Sequence, residues 1–414
     1  MISMFSIRGW VFLLSLFLSP VFPFYMGVQA QTFEDLTRQL QKHPSILALQ
    51  QEAEGYTTEA QSRLGLPDPV LTLGLNNLSV EKPTEFDRYL PTNKSLGFSQ
   101  KIPNWSQRKK QQRVVLEKVR LTQLKSMVQL ATLQKELITA LAHLQRIDKT
   151  NEALNRQLIL VDQLEQWLKG KMEAGGAVFG RFSELDIKRE QILEKRISLE
   201  GEQLRWQSEL QRIVKLDKTI PPPSISPKVW NGQSSRFLMV MVAEQQIAME
   251  KSLIKVKEAA FLPNYGFAAT YQQRESGVNY DGVDWFTVKA NMTIPLWAAK
   301  NQTPKLKAAK LAAQAAQVRR DDILRMAKNR YETAMADHKT ANRLIKSKER
   351  RRKRLQELVE ANRSRYESGN GSLDSLIRPT LEIAKLEIEL VSQKAKKIIA
   401  TAKINALLTR GENP

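Results

Sequence analysis

The chain is written twice. Pro67 opens the stretch Pro67-Asp68-Pro69-Val70-Leu71, and Pro263 opens Pro263-Asn264-Tyr265-Gly266-Phe267 at an offset of 196 residues. Ile102-Pro103-Asn104-Trp105 returns as Ile294-Pro295-Leu296-Trp297 at an offset of 192, and Glu173-Ala174-Gly175-Gly176 returns as Glu367-Ser368-Gly369-Asn370 at 194. Three landmarks in one order at nearly one spacing mark a duplicated unit of about 195 residues. A chain of 414 residues would otherwise suggest two or three unrelated domains. The duplication predicts two halves of a single architecture instead: residues 31–220, a proline-rich linker at 221–232, and residues 233–414.

Within each half the hydrophobic period changes twice. Leu36, Leu40, Ile46 and Leu47 recur at helical spacing, with His43-Pro44 ending one short helix and starting another. Leu71, Leu73 and Leu75 then alternate with Thr72, Gly74 and Asn76, and Leu96, Phe98 and Ile102 alternate with small or polar neighbours. That is strand spacing. It returns at Tyr265, Phe267, Ala269 and Tyr271, and again at Phe286, Val288, Met292 and Ile294. Each half thus predicts one hairpin, within 69–102 and 263–295, with a polar connecting loop.

A long helix follows each hairpin. From Trp105 to Met172 there is no proline and one glycine, Gly170, so the run predicts a helix of about 100 Å at 1.5 Å per residue. Asn104 suits its N-cap. Leu130, Leu133, Leu137, Leu141 and Leu144 step by three and four, a coiled-coil seam. The second copy is predicted from Thr303 and Pro304, with Pro304 at the first helical position, to Tyr366. Alanines from Ala308 to Ala316 replace its leucine seam and permit close helix approach. Both helices end at the glycine landmarks, and the first turn reads about three residues longer than the second. Returning helices are predicted at about 183–214 and 373–409, the last kinked at Pro379.

Strands with one apolar face and one polar face fit an ordinary half-buried sheet. No helical segment is patterned to cover them, however, and strands of this length also suit a membrane β-barrel. Four strands cannot close a barrel, which needs about eight. A membrane reading therefore demands that several chains pool their strands.

Residues 1–30 carry Arg8, an apolar run from Trp10 to Leu18 and the small-residue end Val28-Gln29-Ala30, the pattern of a cleaved export signal. There is no cysteine, so an exported chain of this kind is held by packing and assembly rather than by disulfides. The net charge of +21 would suit a polyanion. Export, and the lack of any nucleic-acid-binding motif, argue that nucleic acid is not the partner. His43, His143 and His338 are the only histidines and stand far apart, so no metal site is expected. No Ser/His/Asp set and no phosphate-cradling loop is present; neither catalysis nor a cofactor is expected.

Taken together, His43-Pro44, Pro67-Asp68-Pro69, the paired hairpins, the long helices and the turns at Glu173-Ala174-Gly175 and Glu367-Ser368-Gly369 resemble the TolC-like outer-membrane efflux protein family. The resemblance covers nearly the whole chain past residue 30. The run Leu66-Pro67-Asp68-Pro69 looks most like the branch that serves heavy-metal export. The resemblance implies a mainly α fold with a small β part, in which duplicated long helices form a coiled-coil barrel. Four strands per chain join a shared trimeric transmembrane β-barrel. It implies a homotrimer in the outer membrane that reaches into the periplasm and exports substrates, metal ions or organic compounds, passively. An inner-membrane pump and a periplasmic adaptor would be its partners, with outer-membrane lipids around the barrel. Gly175, Gly176, Ala177, Gly369, Asn370, Gly371 and Ser372 would form adaptor-docking tips.

The same resemblance nominates the residues just past each turn as a pore constriction: Glu184 and Asp186 after the first, Asp374 after the second. Arg378 departs from a purely acidic pattern. Trp105 and Trp297 fit either core packing or, better, an aromatic belt at the membrane interface. The basic run 346–354 reads either as a solvated helix face or as a docking surface for an acidic partner. Two other readings are a periplasmic adaptor, which should lack duplicated amphipathic strands, and a structural coiled-coil protein, which should lack strands altogether.

Overall fold

The computed structural model describes residues 32–83, 86, 92–174, 179–216 and 220–409. The predicted export signal, the polar loop residues Glu85, Asp87 and Arg88, and the tip residues Gly175, Gly176 and Ala177 lie outside them. The order is α1 (Phe33–Gln41), α2 (Pro44–Ser62), β1 (Val70–Asn76), β2 (Asn93–Ile102), α3 (Trp105–Glu173) and α4 (Phe179–Ile213). A 3-10 turn follows at Ser234–Arg236, then α5 (Leu238–Ala259), β3 (Asn264–Gln273), β4 (Trp285–Thr293), α6 (Gln302–Glu367) and α7 (Leu373–Leu407). No helix among the described residues is long and apolar enough to cross a membrane.

Local chemistry sets the element boundaries. Thr32 and Asp35 form a reciprocal capping box that starts α1. The His43 ring accepts from the Ser45 amide at 3.2 Å and caps α2, whose first residue is Pro44. Asn104 caps α3 by accepting from the Gln107 amide at 2.7 Å. Asn104 also ties the repeats together: its backbone amide donates to Asn264 Oδ1 at 2.9 Å, and its side chain donates to the Ala259 carbonyl at 3.2 Å.

The two hairpins form one sheet. Its order is β1-β2-β3-β4, every neighbour antiparallel. The register sorts the side chains across all four strands. Leu71, Phe98, Ala269 and Val288 share one row, and Leu73, Leu96, Tyr271 and Phe286 the next. Between these rows, on the opposite face, lie Thr72, Gly97, Thr270 and Thr287. One face is thus apolar and the other small or polar across the sheet's width. On the polar face Asn76 donates to Asn93 Oδ1 at 2.7 Å and Ser95 Oγ at 2.9 Å. Leu73 is 77% exposed, and among the described residues no helix packs broadly on the sheet.

The helices pack around α3. Along its length α3 lies against α2, α5, α4 and α7, while α6 lies against α5 and α7. The predicted seam is buried: Leu133, Leu137, Leu141 and Leu144 meet Leu36 and Leu40 of α1 and Leu210 and Ile213 of α4. A second core runs towards the turns, where Val161, Leu164 and Leu168 meet Leu185, Ile192 and Ile377. On α6 the alanines at the helical contact, Ala313 and Ala316, are buried, whereas Ala308 and Ala312 are exposed.

One expectation needs adjustment, and two others gain detail. Asn301 stands at the N-cap of α6 and Gln302 is its first residue, so Pro304 takes the third helical position, where its missing amide still costs no hydrogen bond. Helix α7 runs through Pro379. Proline cannot donate to the Ser375 carbonyl one turn back, and Asn362 of α6 fills that acceptor at 2.7 Å. The proline-rich segment after Ile220 is held to the helices. Lys228 donates through its side chain to the Asn405 and Leu408 carbonyls at 3.1 and 2.7 Å, and the Trp230 amide donates to the Tyr331 hydroxyl at 3.1 Å. These bonds fasten the linker across the middle of α6 and the end of α7.

Leu141 is fully buried at the crowded centre of the seam. Leu141→Ala is expected to cost about 2–5 kcal/mol, read as a lower midpoint when helical circular dichroism is followed through urea unfolding. Leu204→Ala, at a site 67% exposed in the single chain, should spare the packing within the chain.

Candidate functional site

The end of the molecule far from the sheet gathers the turns. Helices α3 and α6 stop at Glu173 and Glu367, and α4 and α7 begin at Phe179 and Leu373, so the helix ends stand equally far apart in sequence in the two repeats. These bounds do not carry the expected three-residue difference. Gly180 and Arg181, read from the sequence as turn, belong to the first turn of α4.

The second turn explains its own sequence. Gly369 has φ of +76°, in the left-handed region that a side chain resists. The Asn370 amide donates to the Arg365 carbonyl at 2.9 Å and the Gly369 amide to the Tyr366 carbonyl at 3.0 Å. This pair of bonds is a Schellman motif closing α6. A Cβ on Gly371 would lie 2.9 Å from the Tyr366 amide nitrogen, so the close return of the chain needs glycine there too. Ser372 caps α7, accepting from the Ser375 amide at 3.3 Å.

Charge locks the returning helices together just beyond the turns. Asp374 in the first turn of α7 lies 3.0 Å from Arg378 on its own helix and 3.3 Å from Arg181 on α4. Asp374 is thus neutralised between two guanidiniums, one from each repeat. The other two acidic candidates are set apart: Glu184 is exposed, and Asp186 is exposed and sits 3.4 Å from Arg189. Arg189 is itself a hub, reaching back to α3 at 2.8 Å from Asp162 and 2.6 Å from Glu165. Lys169 lies 2.7 Å from Glu165 as well. Hydrogen bonds from Lys169 and then Arg189 hold the Glu165 carboxyl down at about 2.

Sequence reasoning singled out Asp374, Arg378 and Asp186 but missed Arg181 and Arg189. One signal was available. Arg181 and Asp374 are separated by 193 residues, almost the repeat offset, so opposite charges stand at near-equivalent positions of the two halves.

The basic run is partly spent within the chain. Lys348 pairs with Glu389 and Arg351 with Glu382, both on α7, while Lys346, Arg350, Lys353 and Arg354 make no ion pair with the described residues. At the other end of α3 and α6, Trp105 and Trp297 are 56% and 70% exposed and lie outside the chain's own core. Arg108 stacks over the Trp105 ring at 5.1 Å. The histidines serve locally: His43 caps a helix and His143 stacks on Trp206 at 4.0 Å. Among the described residues no group of three or more His, Asp or Glu side chains is arranged to hold a metal.

The Glu165 carboxyl is lowered in the folded chain, so its contribution is present above its ordinary value of 4.5 and is lost as pH falls towards about 2. Amide exchange in the facing stretches of α3 and α4 should therefore rise between pH 5 and pH 3, after correction for the intrinsic rate. Glu165→Gln should flatten that difference; an unchanged pH response in the variant would count against the clamp.

The family model for outer membrane efflux proteins matches residues 236–409, most of the second repeat. No curated protein sequence matches the chain. Solved structures match in fold across both repeats. The outer membrane protein VceC of Vibrio cholerae is 13% identical, with a TM-score of 0.71, covering 90% of this chain and 95% of that one. The open-state MtrE outer membrane channel of Neisseria gonorrhoeae is 15% identical with a TM-score of 0.71, covering 90% and 88%. The channel-forming protein CusC is also 15% identical, with a TM-score of 0.72, covering 90% and 91%. The resemblance read from the sequence thus rests on a match to the outer membrane efflux protein family over residues 236–409 and on a fold that both repeats share with outer-membrane channels.

Proposed function

We propose that three copies form the exit duct of a tripartite export system, passing cargo delivered by an inner-membrane pump through a periplasmic adaptor. The sheet register supports the duct most strongly. A four-stranded sheet with one apolar face, one polar face and two bare edges can satisfy β1 and β4 only by pairing with further copies. Neither alternative reading, a periplasmic adaptor or a structural coiled coil, gives such a sheet a purpose.

In this reading the Arg181–Asp374–Arg378 cluster holds the periplasmic end narrow. Helix α4 packs chiefly on α3 and meets α7 at its start through Arg181. Breaking that bridge frees α4 and the start of α7 to move apart, while the upper end of α4 stays anchored in the leucine seam and that of α7 in the cluster of Phe237, Tyr331 and Ile404. No atom of the cargo is transformed, and a duct that held metal ions or organic compounds tightly would clog.

Purified protein in planar lipid bilayers should give discrete, low conductance steps. Arg181→Ala should raise that conductance several-fold, as should Asp374→Ala, and the double variant should add little because both remove one interaction. A protein recovered as a soluble periplasmic monomer would contradict the duct, whereas conducting trimers indifferent to both changes would contradict only the constriction.

The turn residues Gly175, Gly176, Ala177, Gly369, Asn370, Gly371 and Ser372 are proposed to meet the adaptor's tips. The unpaired cations of the 346–354 run are proposed as a flanking contact for acidic side chains. Reversing Arg350, Lys353 and Arg354 to Glu should weaken co-purification of the adaptor at least tenfold in low salt; full recovery would leave the run as a solvated face. The paired tryptophans, Trp105 and Trp297, are proposed to sit at the membrane's periplasmic interface among lipid headgroups.

A further inference from the structure

The strands carry charge of one sign only. None of the four strands contains an Asp or a Glu, and their cations are Lys94, Lys101 and Lys289. Lys94 shares the outward row of Leu75 and is paired with Glu275 at 2.8 Å. The other two lie on the polar face: Lys289 in the row of Ser99 and Ala268, Lys101 in the row of Gly266 and Asn291. Both are exposed, and neither makes an ion pair with the described residues. Assembly cannot neutralise them along the strands, because the β1 edge that must meet β4 also has no carboxylate.

A second observation extends this charge below the sheet. Between the polar face and the starts of the long helices lies a hollow of about 790 Å³, bordered by Gly266 and Asn291. Arg63, Lys101 and Arg108 line it, and no carboxylate does. Arg63 is paired with Glu59 at 2.5 Å, and Arg108 donates to the Leu64 carbonyl at 2.6 Å, so Lys101 is the lining cation left without a partner. Three copies place six unneutralised lysines around the barrel lumen and its periplasmic mouth.

We propose that this passage selects for anions, so that the cargo it favours is small organic anions rather than bare metal cations. The inference rests on the duct reading above and names its substrate class. Rings of Lys or Arg in a water-filled pore with low-dielectric walls raise the local concentration of anions and repel cations. Lys289 stands directly across from Ala268, and Lys101 sits diagonally from it, so both lie within roughly 5–8 Å of that position. Two uncompensated charges at that range dominate the local potential at low ionic strength.

The chain has no cysteine, so a single introduced thiol reports its surroundings cleanly. Ala268→Cys would be placed on the polar face and, in a separate variant, Val288→Cys on the apolar face. Each full-length protein would be reconstituted in neutral lipid vesicles and treated with an anionic or a cationic methanethiosulfonate. Relative to a free thiol, Ala268→Cys should favour the anionic reagent about threefold or more at low salt. Adding Lys101→Gln and Lys289→Gln should return the ratio to the free-thiol value. Thr270→Cys, on the same face, serves if Ala268→Cys fails to assemble. A ratio equal to that of free thiol, or one untouched by removing both lysines, would overturn the anion passage and leave the duct standing. Reaction at Val288→Cys with protection of Ala268→Cys would invert the two faces and overturn the duct reading itself.

Discussion

Two unpaired strand edges govern this molecule. The outer-edge backbone amides and carbonyls of β1 and β4 pair with no other strand among the described residues, and water could not serve them in a bilayer. In the proposed duct the sheet's outward rows, Leu71 with Phe98 and Val288, and Leu73 with Leu96 and Phe286, face the bilayer all the same. The two demands are met together only when β4 of one copy joins β1 of the next and the circle closes. Three copies supply twelve strands, enough to enclose a lumen. Everything below the sheet is then arranged around an axis no single chain possesses.

The helices carry that constraint away from the membrane. Asn104 links the start of α3 to both the end of α5 and the start of β3, so α3 leaves the sheet in fixed relation to the other repeat. From there α3 acts as the spine, exchanging α2 and α5 for α4 and α7 along its length. Apolar packing holds the middle, where Leu137 and Leu141 are fully buried. Towards the turns, ion pairs on Asp374 and Arg189 add to the apolar contact. A packed centre and a charge-latched end suit the constriction proposed for the duct.

Much of this is written in local pattern. The alternation at Leu71-Leu73-Leu75 and its copy at Tyr265-Phe267-Ala269 fixes strands and faces, since a residue's side of a sheet depends only on parity. Long helices follow from the absence of proline and glycine, and Asn104 announces its helix by capping chemistry. What stays hidden is partner choice at long range. Nothing near Asp374 in the sequence names Arg181, and nothing near Pro379 names Asn362 as the donor that fills the carbonyl the proline leaves free. Nor does the proline-rich linker disclose that Lys228 will bind the end of α7. The turn lengths misled for a simpler reason: Gly180 looks like turn but sits in the first turn of α4, where helical geometry accepts it.

The central claim is that one chain is a third of a closed barrel. Light scattering with refractive-index detection on the detergent-solubilised protein measures the polypeptide mass of the particle independently of bound detergent. The account predicts three chains per particle and no monomer at equilibrium in mild detergent. A stable particle of one chain that retains its strand content would contradict it, because the bare edges of β1 and β4 would then need no partner.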